Sequence, residues 1–476
     1  MTSLKTGAAR KNANKNAACD LVVHSDCVLR TGADRFIGIN LNYIRDHDKN
    51  RMHGARPIKD ALRDMGVRWL RFPGGEKSDF HLWSIPPYKK PYPLSRGNYA
   101  DMPGYRMNFD EYVKLAHSLK CEPYVVAAYD SLDRTKMSKS QFIEMAVAWV
   151  RYSNIIKKYG VRYWEIGNEN WHNGTSTPKE MAGIVVEFSK AMKAVDSSIL
   201  IGASGCNNEW WKEFLPVAAK HIDFLTLSLY NTTNWGSYGY YPKHPGAPLL
   251  ETANYAVESI EKYAPKIHRK RLRIIVAEMN SKDFNKTKKA WSGFNNLGHA
   301  IVTCDTFGHA LLEPRIISTM LWTTRWMPEG EERNSQWYAL DRKNNFCAAG
   351  FAVAVWGKFV REQMVRITGM PDTISAYASR NGTGTEFCAI IINKGYAPIN
   401  NIRIILKPHG PFAKVRHFLF SGKGSEDCNP QFLQLPDVTV ANGMIAGFSL
   451  PGVSVTVLVT GRVPNRTCAG GQSFGL

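Results

Sequence analysis

Residues 163–171, YWEIGNENW, form a short apolar run that ends in Asn168-Glu169 and has aromatic residues on both sides. Residues 272–280, LRIIVAEMN, form a second apolar run with Glu278 near its end. Short apolar runs bounded by polar residues are typical of the buried strands of parallel sheets. The two runs therefore predict two strands that each carry a glutamate at the carboxyl end.

Apolar runs of this kind alternate with segments of helical hydrophobic spacing along most of the chain. The runs cover residues 36–40, 67–74, 122–129, 161–169, 199–205, 222–231, 272–280 and 316–325. One helical segment opens with Thr177-Pro178-Lys179-Glu180, a capping box with proline at the first helical position. Eight strands alternating with eight helices predict a (β/α)8 barrel, of the TIM-barrel class, over residues 35–364. The alternative, an open doubly wound sheet, is disfavoured because no glycine-rich phosphate loop follows the first run.

The remaining segments have a different character. Short alternating strands separated by turns predict an all-β sandwich over residues 365–466. Residues 21–34 are strand-like and are expected to join this sandwich. Residues 1–20 predict a disordered basic tail, and the glycine-rich residues 467–476 predict a loose tail.

Charge and composition restrict the partners of the chain. The 476 residues carry a formal net charge of +20, which suggests a polyanionic neighbour such as an acidic or sulfated polysaccharide. No nucleic-acid-binding motif accompanies this charge, so nucleic acid is not an expected partner. No apolar run reaches about 18 residues, so no membrane span is predicted.

The cysteines predict buried free thiols, because the nine of them include no CxxC pair and no His cluster has metal-ligand spacing. Cys19/Cys27 and Cys428/Cys468 are the pairs to examine first for disulfides. Asn-x-Ser/Thr sequences argue for a secreted location, although residues 1–20 lack the apolar segment of a signal peptide. The sequence does not indicate an oligomeric state.

The two glutamates at strand ends predict a specific chemistry. In a β/α barrel, the carboxyl ends of the strands surround the active site. Glu169 ends the fourth predicted strand and Glu278 the seventh, so their carboxyl groups are expected across the barrel mouth. Glycoside hydrolysis uses such a pair, with a separation of about 5 Å for retention and about 6.5–9.5 Å for inversion. This chemistry requires no metal or organic cofactor.

These motifs resemble those of the clan A glycoside hydrolases, most closely the α-L-arabinofuranosidases of family 51 and the neighbouring family 39. The resemblance covers both the barrel and the β-sandwich. Asn168-Glu169 matches the clan signature of strand four, and residues 69–75, WLRFPGG, are similar to the family 51 motif of strand two. The resemblance implies a retaining glycosidase in which Glu169 is the general acid/base and Asn168 hydrogen-bonds the sugar 2-hydroxyl.

The same resemblance implies roles for four further residues. Glu278 matches the nucleophile, and Arg71 matches an arginine whose charge would keep it ionised. Tyr230 matches a tyrosine that hydrogen-bonds the nucleophile, and Trp322 takes the position of a sugar-stacking aromatic residue. Flat aromatic faces suit the C–H face of sugars, and the other candidates for stacking are Trp83, Tyr88, Trp164, Trp171, Trp235 and Trp326.

Three positions around the expected sugar pocket depart from family 51. Glu76 stands where the family usually has Asn, Ser228 where it commonly has His, and Met279 where it usually has Trp. Glu76 is expected to line the sugar pocket and bind the substrate. The catalytic residues therefore match family 51 more closely than do the residues that would determine its specificity for arabinofuranosides.

Two substrate classes remain open. One is an α-L-arabinofuranoside or similar pentoside, and the other is an acidic, sulfated or galactan-type polysaccharide cleaved in an agarase-like or heparanase-like manner. Basic side chains in the loops 76–107 and 282–289 would give the second class a positively charged cleft. A hypothesis of another class, a non-catalytic carbohydrate-binding barrel, is disfavoured because both glutamates are present.

Overall fold

The structure is a computed structural model of the chain. It describes residues 19–83, 104–129, 137–230, 235–244, 246, 248–281, 294–326, 335, 337–408 and 410–461. The two expected tails lie mostly or entirely outside these ranges, as do residues 84–103 and 282–293 of the two basic loops.

A closed barrel of eight parallel strands forms the first unit, which confirms the predicted TIM-barrel class. Its strands are β2 (Ile37–Asn40), β3 (Trp69–Phe72), β4 (Glu122–Ala127), β5 (Tyr163–Ile166), β6 (Leu200–Ser204), β7 (Phe224–Leu229), β8 (Arg273–Met279) and β9 (Ile316–Leu321). Each lies within a predicted apolar run. Parallel pairing of β2 with β9 closes the ring, with Ile39 opposite Leu321, so the open-sheet alternative is wrong.

Helices connect these strands around the outside of the barrel. They are α1 (Ile58–Met65), α2 (Phe109–Ser118), α3 (Lys139–Val150), α4 (Asn170–Asn173), α5 (Pro178–Val195), α6 (Asn208–Ala218), α7 (Glu251–Tyr263), α8 (Lys266–Arg269), α9 (Leu297–Leu312) and α10 (Ala348–Phe359). The predicted capping box is present, since the Thr177 side chain accepts from Glu180 N and the Glu180 carboxylate accepts from Thr177 N.

The second unit contains nine strands in a closed ring. They are β1 (Cys19–Thr31), β10 (Gln363–Thr368), β11 (Ile374–Arg380), β12 (Phe387–Asn393), β13 (Ile399–Lys407), β14 (Lys414–Ser421), β15 (Gln431–Ala441), β16 (Met444–Leu450) and β17 (Ser454–Val459). The N-terminal strand β1 pairs antiparallel with β10 and parallel with β13. Two boundaries differ from the sequence-based ones. β1 begins at Cys19, inside the expected tail, and β10 begins at Gln363, inside the range 35–364 predicted for the barrel.

The two units share a continuous hydrophobic core. Helix α10 presents Phe351 to the second barrel, 5.4 Å from the Phe420 ring centroid, and Trp356 lies 5.2 Å from the Tyr377 ring. Asp305 of α9 is buried at the same junction and accepts hydrogen bonds from Ser375 and Tyr377 of β11. The second barrel thus packs against helices α9 and α10, which flank β9 in the chain.

None of the helices in the described ranges is long and apolar enough to cross a membrane. Eight cysteines fall in those ranges and all are free thiols, including Cys19, Cys27 and Cys428. Cys468 lies outside the described residues.

Candidate active site

The turn after β5 projects Glu169 over the barrel mouth. Gly167 has φ 70°, and a side chain there would collide with the Asn170 amide, 2.1 Å from the position of a Cβ. Glu169 itself has φ 44° and ψ 43°, a left-handed conformation that is uncommon for a residue with a side chain. The Asn170 side chain holds this turn by donating to the carbonyl oxygen of Tyr129 at 2.7 Å. The conformation that presents Glu169 is therefore fixed by its neighbours.

A β-bulge in β8 presents Glu278. Leu227 of β7 pairs with Val276, but the next residue, Ser228, pairs with Glu278, so Ala277 is the additional residue on β8. The Asn40 side chain donates to the carbonyl oxygen of Ala277 at 2.7 Å, which satisfies a backbone group that the bulge frees. Bulges near active sites change the direction in which a side chain points.

Arg71 of β3 is 1% exposed and donates hydrogen bonds to side chains on opposite sides of the barrel interior. Its Nη1 donates to Glu278 Oε1 at 2.8 Å and to Asn40 Oδ1 at 3.1 Å. Its Nη2 donates to Asn168 Oδ1 at 2.8 Å and to Glu165 Oε2 at 2.8 Å. Burial lowers the pKa of Arg71, but the charges of Glu165 and Glu278 outweigh burial and raise the pKa above its usual value. Arg71 therefore remains a cation.

Glu165 is a buried carboxylate that the sequence analysis did not identify. It accepts from Arg71, from Tyr124 Oη at 2.9 Å and from Thr226 Oγ1 at 2.7 Å. The sequence does contain a signal for Glu165, because a glutamate inside the apolar run 163–166 needs a buried partner. Glu165 adds the second negative charge that holds Arg71 in place.

The two predicted catalytic glutamates have different surroundings. Glu278 is 4% exposed, and both of its oxygens accept hydrogen bonds, Oε1 from Arg71 and Oε2 from Tyr230 Oη at 2.8 Å. Burial, and then the negative charge of Glu278, raises the pKa of Glu169 to about 8, although hydrogen bonding by Ser228 and the charge of Arg71 oppose this shift. The structure therefore supplies one carboxyl group with compensated charge and one that retains its proton at neutral pH.

The other predicted site residues lie around this pair. Tyr230 is half-buried, with its hydroxyl on Glu278 and its ring 5.5 Å from that of Trp337. Trp322 is 3% exposed, and a Cβ on Gly75 would lie 2.0 Å from its ring and 2.8 Å from Glu278 Oε1. Glu76 is half-buried in the 3-10 turn Gly75–Phe80 that follows β3. Trp171 is half-buried in α4 and packs against the barrel core.

The further aromatic candidates divide between site and core. Trp83 and Trp164 are core residues that pack on Trp149 at ring-centroid distances of 5.6 Å each. Trp235 stacks on Tyr241 at 5.2 Å. Trp326 lies beside Trp322, with 5.0 Å between ring centroids, and Tyr88 falls outside the described residues.

Lys77 and Asp79 in the turn after β3 are two further buried polar residues that the sequence analysis did not identify. Lys77 is 1% exposed and Asp79 is fully buried. Among the described residues, no three His, Cys, Asp or Glu side chains are grouped as a metal ion would require.

Comparison with known proteins adds to this geometry. No protein-family model matches the chain. It is 26% identical over 206 residues to an intracellular exo-α-L-arabinofuranosidase of Bacteroides ovatus, an alignment that covers 38% of each protein. It is 33% identical over 82 residues to intracellular exo-α-(1→5)-L-arabinofuranosidase 1 of Bacillus subtilis, covering 15% of this chain and 16% of that one. The first of these matches spans about two fifths of the relative's length.

Solved structures share the fold over nearly the whole chain. The family 51 α-L-arabinofuranosidase of Thermotoga petrophila gives a TM-score of 0.72 at 18% identity, covering 93% of this chain and 100% of that one. The α-L-arabinofuranosidase of Thermotoga maritima gives 0.71 at 18% identity, covering 93% and 99%.

The fold and site define a β/α-barrel protein with paired glutamates at its strand ends, joined to a second all-β barrel. Within that class, the resemblance to the family 51 α-L-arabinofuranosidases is confirmed by the named relatives and the solved structures.

Proposed function

We propose that this protein is a retaining glycoside hydrolase that acts on an α-L-arabinofuranoside or a closely related pentoside. The observation that carries the proposal is the difference between the two glutamates. Glu278 has its charge compensated by Arg71 and Tyr230, whereas the pKa of Glu169 is raised to about 8. Two carboxyl groups in such different surroundings are typical of an acid and a nucleophile in one site.

In the proposed first step, Glu278 attacks the anomeric carbon and Glu169 protonates the leaving oxygen. The C–O bond to the leaving group breaks, and a covalent glycosyl ester forms on Glu278. In the second step, Glu169 removes a proton from water, which attacks the anomeric carbon and releases Glu278. Two inversions give net retention.

Arg71 and Tyr230 have supporting roles in this mechanism. Both donate to Glu278 and hold its carboxylate in one orientation. Asn168 is bound through its Oδ1 to Arg71, which leaves its Nδ2 to donate to a sugar hydroxyl. Because Arg71 donates to Glu278 of β8 and to Asn168 after β5, it is a positioning residue rather than a reacting one.

The pentoside assignment is supported by the relatives, whose names specify arabinofuranosidase activity. A screen of 4-nitrophenyl glycosides and arabinan oligosaccharides tests it. We expect release of L-arabinose by the wild type, and loss of hydrolysis with retained sugar binding in Glu278→Ala. A wild type that binds these glycosides but hydrolyses none of them would instead support the carbohydrate-binding barrel.

An anionic polysaccharide is a second candidate substrate, because the chain carries a net charge of +20. A positively charged cleft would concentrate such a substrate, and this attraction weakens as salt is added. Rates on neutral and sulfated glycans at low and high salt distinguish the candidates. Equal rates without salt dependence exclude the electrostatic contribution.

A further inference from the structure

The turn after β3 places two buried polar side chains beside the paired glutamates without giving them partners. Within the described part of the chain, Lys77 Nζ and both carboxyl oxygens of Asp79 have no hydrogen-bond partner. Buried polar groups normally have such partners, and exceptions are often found where a ligand binds. These two groups have no role in the mechanism above.

Lys77 is held over the aromatic residues of the site. Its Nζ lies 3.8 Å from the ring centroid of Trp326 and 4.6 Å from that of Trp322. The Trp322 ring in turn contacts Gly75, whose Cα faces Glu278 Oε1. The ammonium group is therefore part of the same site as the predicted nucleophile.

Two of the neighbouring carboxylates, Glu278 and Asp46, are already bound by other donors. Glu278 accepts from Arg71 and Tyr230, and Asp46 forms an ion pair with Arg325 at 2.7 Å. Burial lowers the pKa of Lys77 to about 7, while the charges of Glu278, Glu76 and Asp46 oppose that shift. Its N–H donors remain available to a ligand.

Asp79 lies among acidic residues. Burial, followed by the charges of Glu169 and Glu76, raises its pKa well above the usual value. A carboxyl group in these surroundings favours its protonated form, which can donate and accept hydrogen bonds as a sugar hydroxyl requires.

The charge around the pair favours a neutral ligand. Among the described residues that interact electrostatically here, the acidic residues Glu76, Glu165 and Glu278 outnumber the cations Arg71 and Lys77, even when Asp79 and Glu169, whose pKa values are raised, are not counted. A carboxylate or sulfate on the bound sugar would add to this excess of negative charge. Hydroxyl groups would instead satisfy both Lys77 and Asp79 at no such cost.

We propose that Lys77 Nζ and the Asp79 carboxyl group bind hydroxyl groups of a neutral sugar held between Glu169 and Glu278, and so determine which sugar the site accepts. This inference rests on the proposed glycosidase function and identifies two specificity residues that the family resemblance does not supply.

The test uses Lys77→Met, which keeps the aliphatic stem over the two tryptophans, and Asp79→Leu, which keeps the branching of the side chain at Cγ and removes its polar atoms. Lys139→Met, an exposed lysine on α3 that pairs with Glu187, is the control. Kinetics are measured on the 4-nitrophenyl glycoside that the wild type cleaves best and on its monodeoxy analogues.

We expect each site variant to lower kcat/KM about tenfold to a hundredfold on the parent glycoside, while the control retains wild-type kinetics. The loss should shrink for the one analogue that lacks the hydroxyl bound by the substituted residue, because interacting changes are not additive. The melting temperature should not fall, since each substitution removes a buried polar group without a partner.

Three kinetic outcomes would overturn the inference. Wild-type kinetics in both variants would do so while the glycosidase function stands. An equal loss on every analogue, with a lower melting temperature, would indicate a structural role. Faster cleavage of a glycuronide than of the neutral glycoside, dependent on Lys77, would contradict the neutral-sugar assignment. If the wild type hydrolyses no glycoside, the proposed function fails, and calorimetry with L-arabinose decides: weaker binding in the variants supports the inference, and equal or absent binding overturns it.

Discussion

Glu169 and Glu278 are chemically identical side chains, and the difference between them lies in their hydrogen-bond partners. Glu278 accepts from a guanidinium group and a phenol, whereas among the described residues Ser228 and the charge of Arg71 are what lower the pKa of Glu169. Burial and the charge of Glu278 raise the pKa of Glu169 to about 8. The proposed roles follow from these surroundings.

The raised pKa of Glu169 predicts the alkaline limb of the pH profile. A general acid must carry its proton, so kcat/KM should be constant through neutral pH and fall as pH rises above about 8. The profile is measured on a glycoside with a poor leaving group. In Glu169→Gln, assayed with an activated aryl glycoside, this limb should disappear. A limb near pH 8 that persists in Glu169→Gln would assign it to another group.

At the residue scale, the sequence identified the groups that end strands and missed those that support them. Asn168, Glu169, Glu278, Arg71 and Tyr230 stand at recognisable motif positions, and the structure brings them together. Pairing of Arg71 with Glu165, and the burial of Lys77 and Asp79, depend on which strands face each other across the barrel. That information is three-dimensional, and a linear pattern does not contain it.

Strand β3 is the element that holds the site together, because Arg71 connects it to β5 through Glu165 and to β8 through Glu278. All three side chains are buried. Removing one partner of a buried ion pair leaves the other charge without compensation.

Arg71→Met should therefore destabilise the protein by about 3–5 kcal/mol as well as abolish activity. Urea denaturation followed by tryptophan fluorescence measures the loss. Arg403→Met removes the exposed pair with Asp20 in the second barrel and is the control, with little expected change. Similar stability losses for the two variants would contradict the proposed role of the Arg71 network.

The turn after β3 requires glycine at position 75. Gly75 has φ 51°, and a Cβ there would lie 2.0 Å from the Trp322 ring and 2.8 Å from Glu278 Oε1. Gly75→Ala should displace both and lower kcat strongly. Gly160→Ala, also at positive φ but with open space around it, is the control for backbone strain. Equal kcat in Gly75→Ala and wild type would show that this contact does not position Glu278.

At the element scale, the hydrophobic pattern of the sequence predicts every strand of the catalytic barrel. It does not predict one domain boundary or the bulge in β8. The range predicted for the barrel extends to residue 364, but Gln363 begins β10 of the second unit, because pairing with Ser379 and Arg380 of β11 overrides the local hydrophobic spacing. The bulge at Ala277 could not be predicted either, since it arises from a register shift against β7.

At the scale of the whole molecule, strand β1 joins the N-terminal part of the chain to the second barrel. It precedes the catalytic barrel in sequence but pairs with β10 and β13 of the second barrel, and so closes that ring. The strand-like pattern of residues 21–34 predicts that they join the second unit. It does not predict that they close its ring, because closure depends on pairing with both β10 and β13.

Deletion of residues 1–31 should open the second barrel and leave β10 and β13 with unpaired edges, which favour aggregation. Because the two units share one core, the catalytic barrel should lose stability as well. Size-exclusion chromatography and thermal melting test this, with a deletion of residues 1–18 as the control that keeps β1 intact. An unchanged melting temperature without β1 would show that the units are energetically independent.

The stereochemistry of hydrolysis tests the central claim most directly. Proton NMR during cleavage of an α-L-arabinofuranoside identifies the anomer released first, before mutarotation. Double displacement through Glu278 predicts that this sugar has the same anomeric configuration as the substrate. An inverted first product would contradict the assignment of Glu278 as nucleophile and of Glu169 as its acid/base partner.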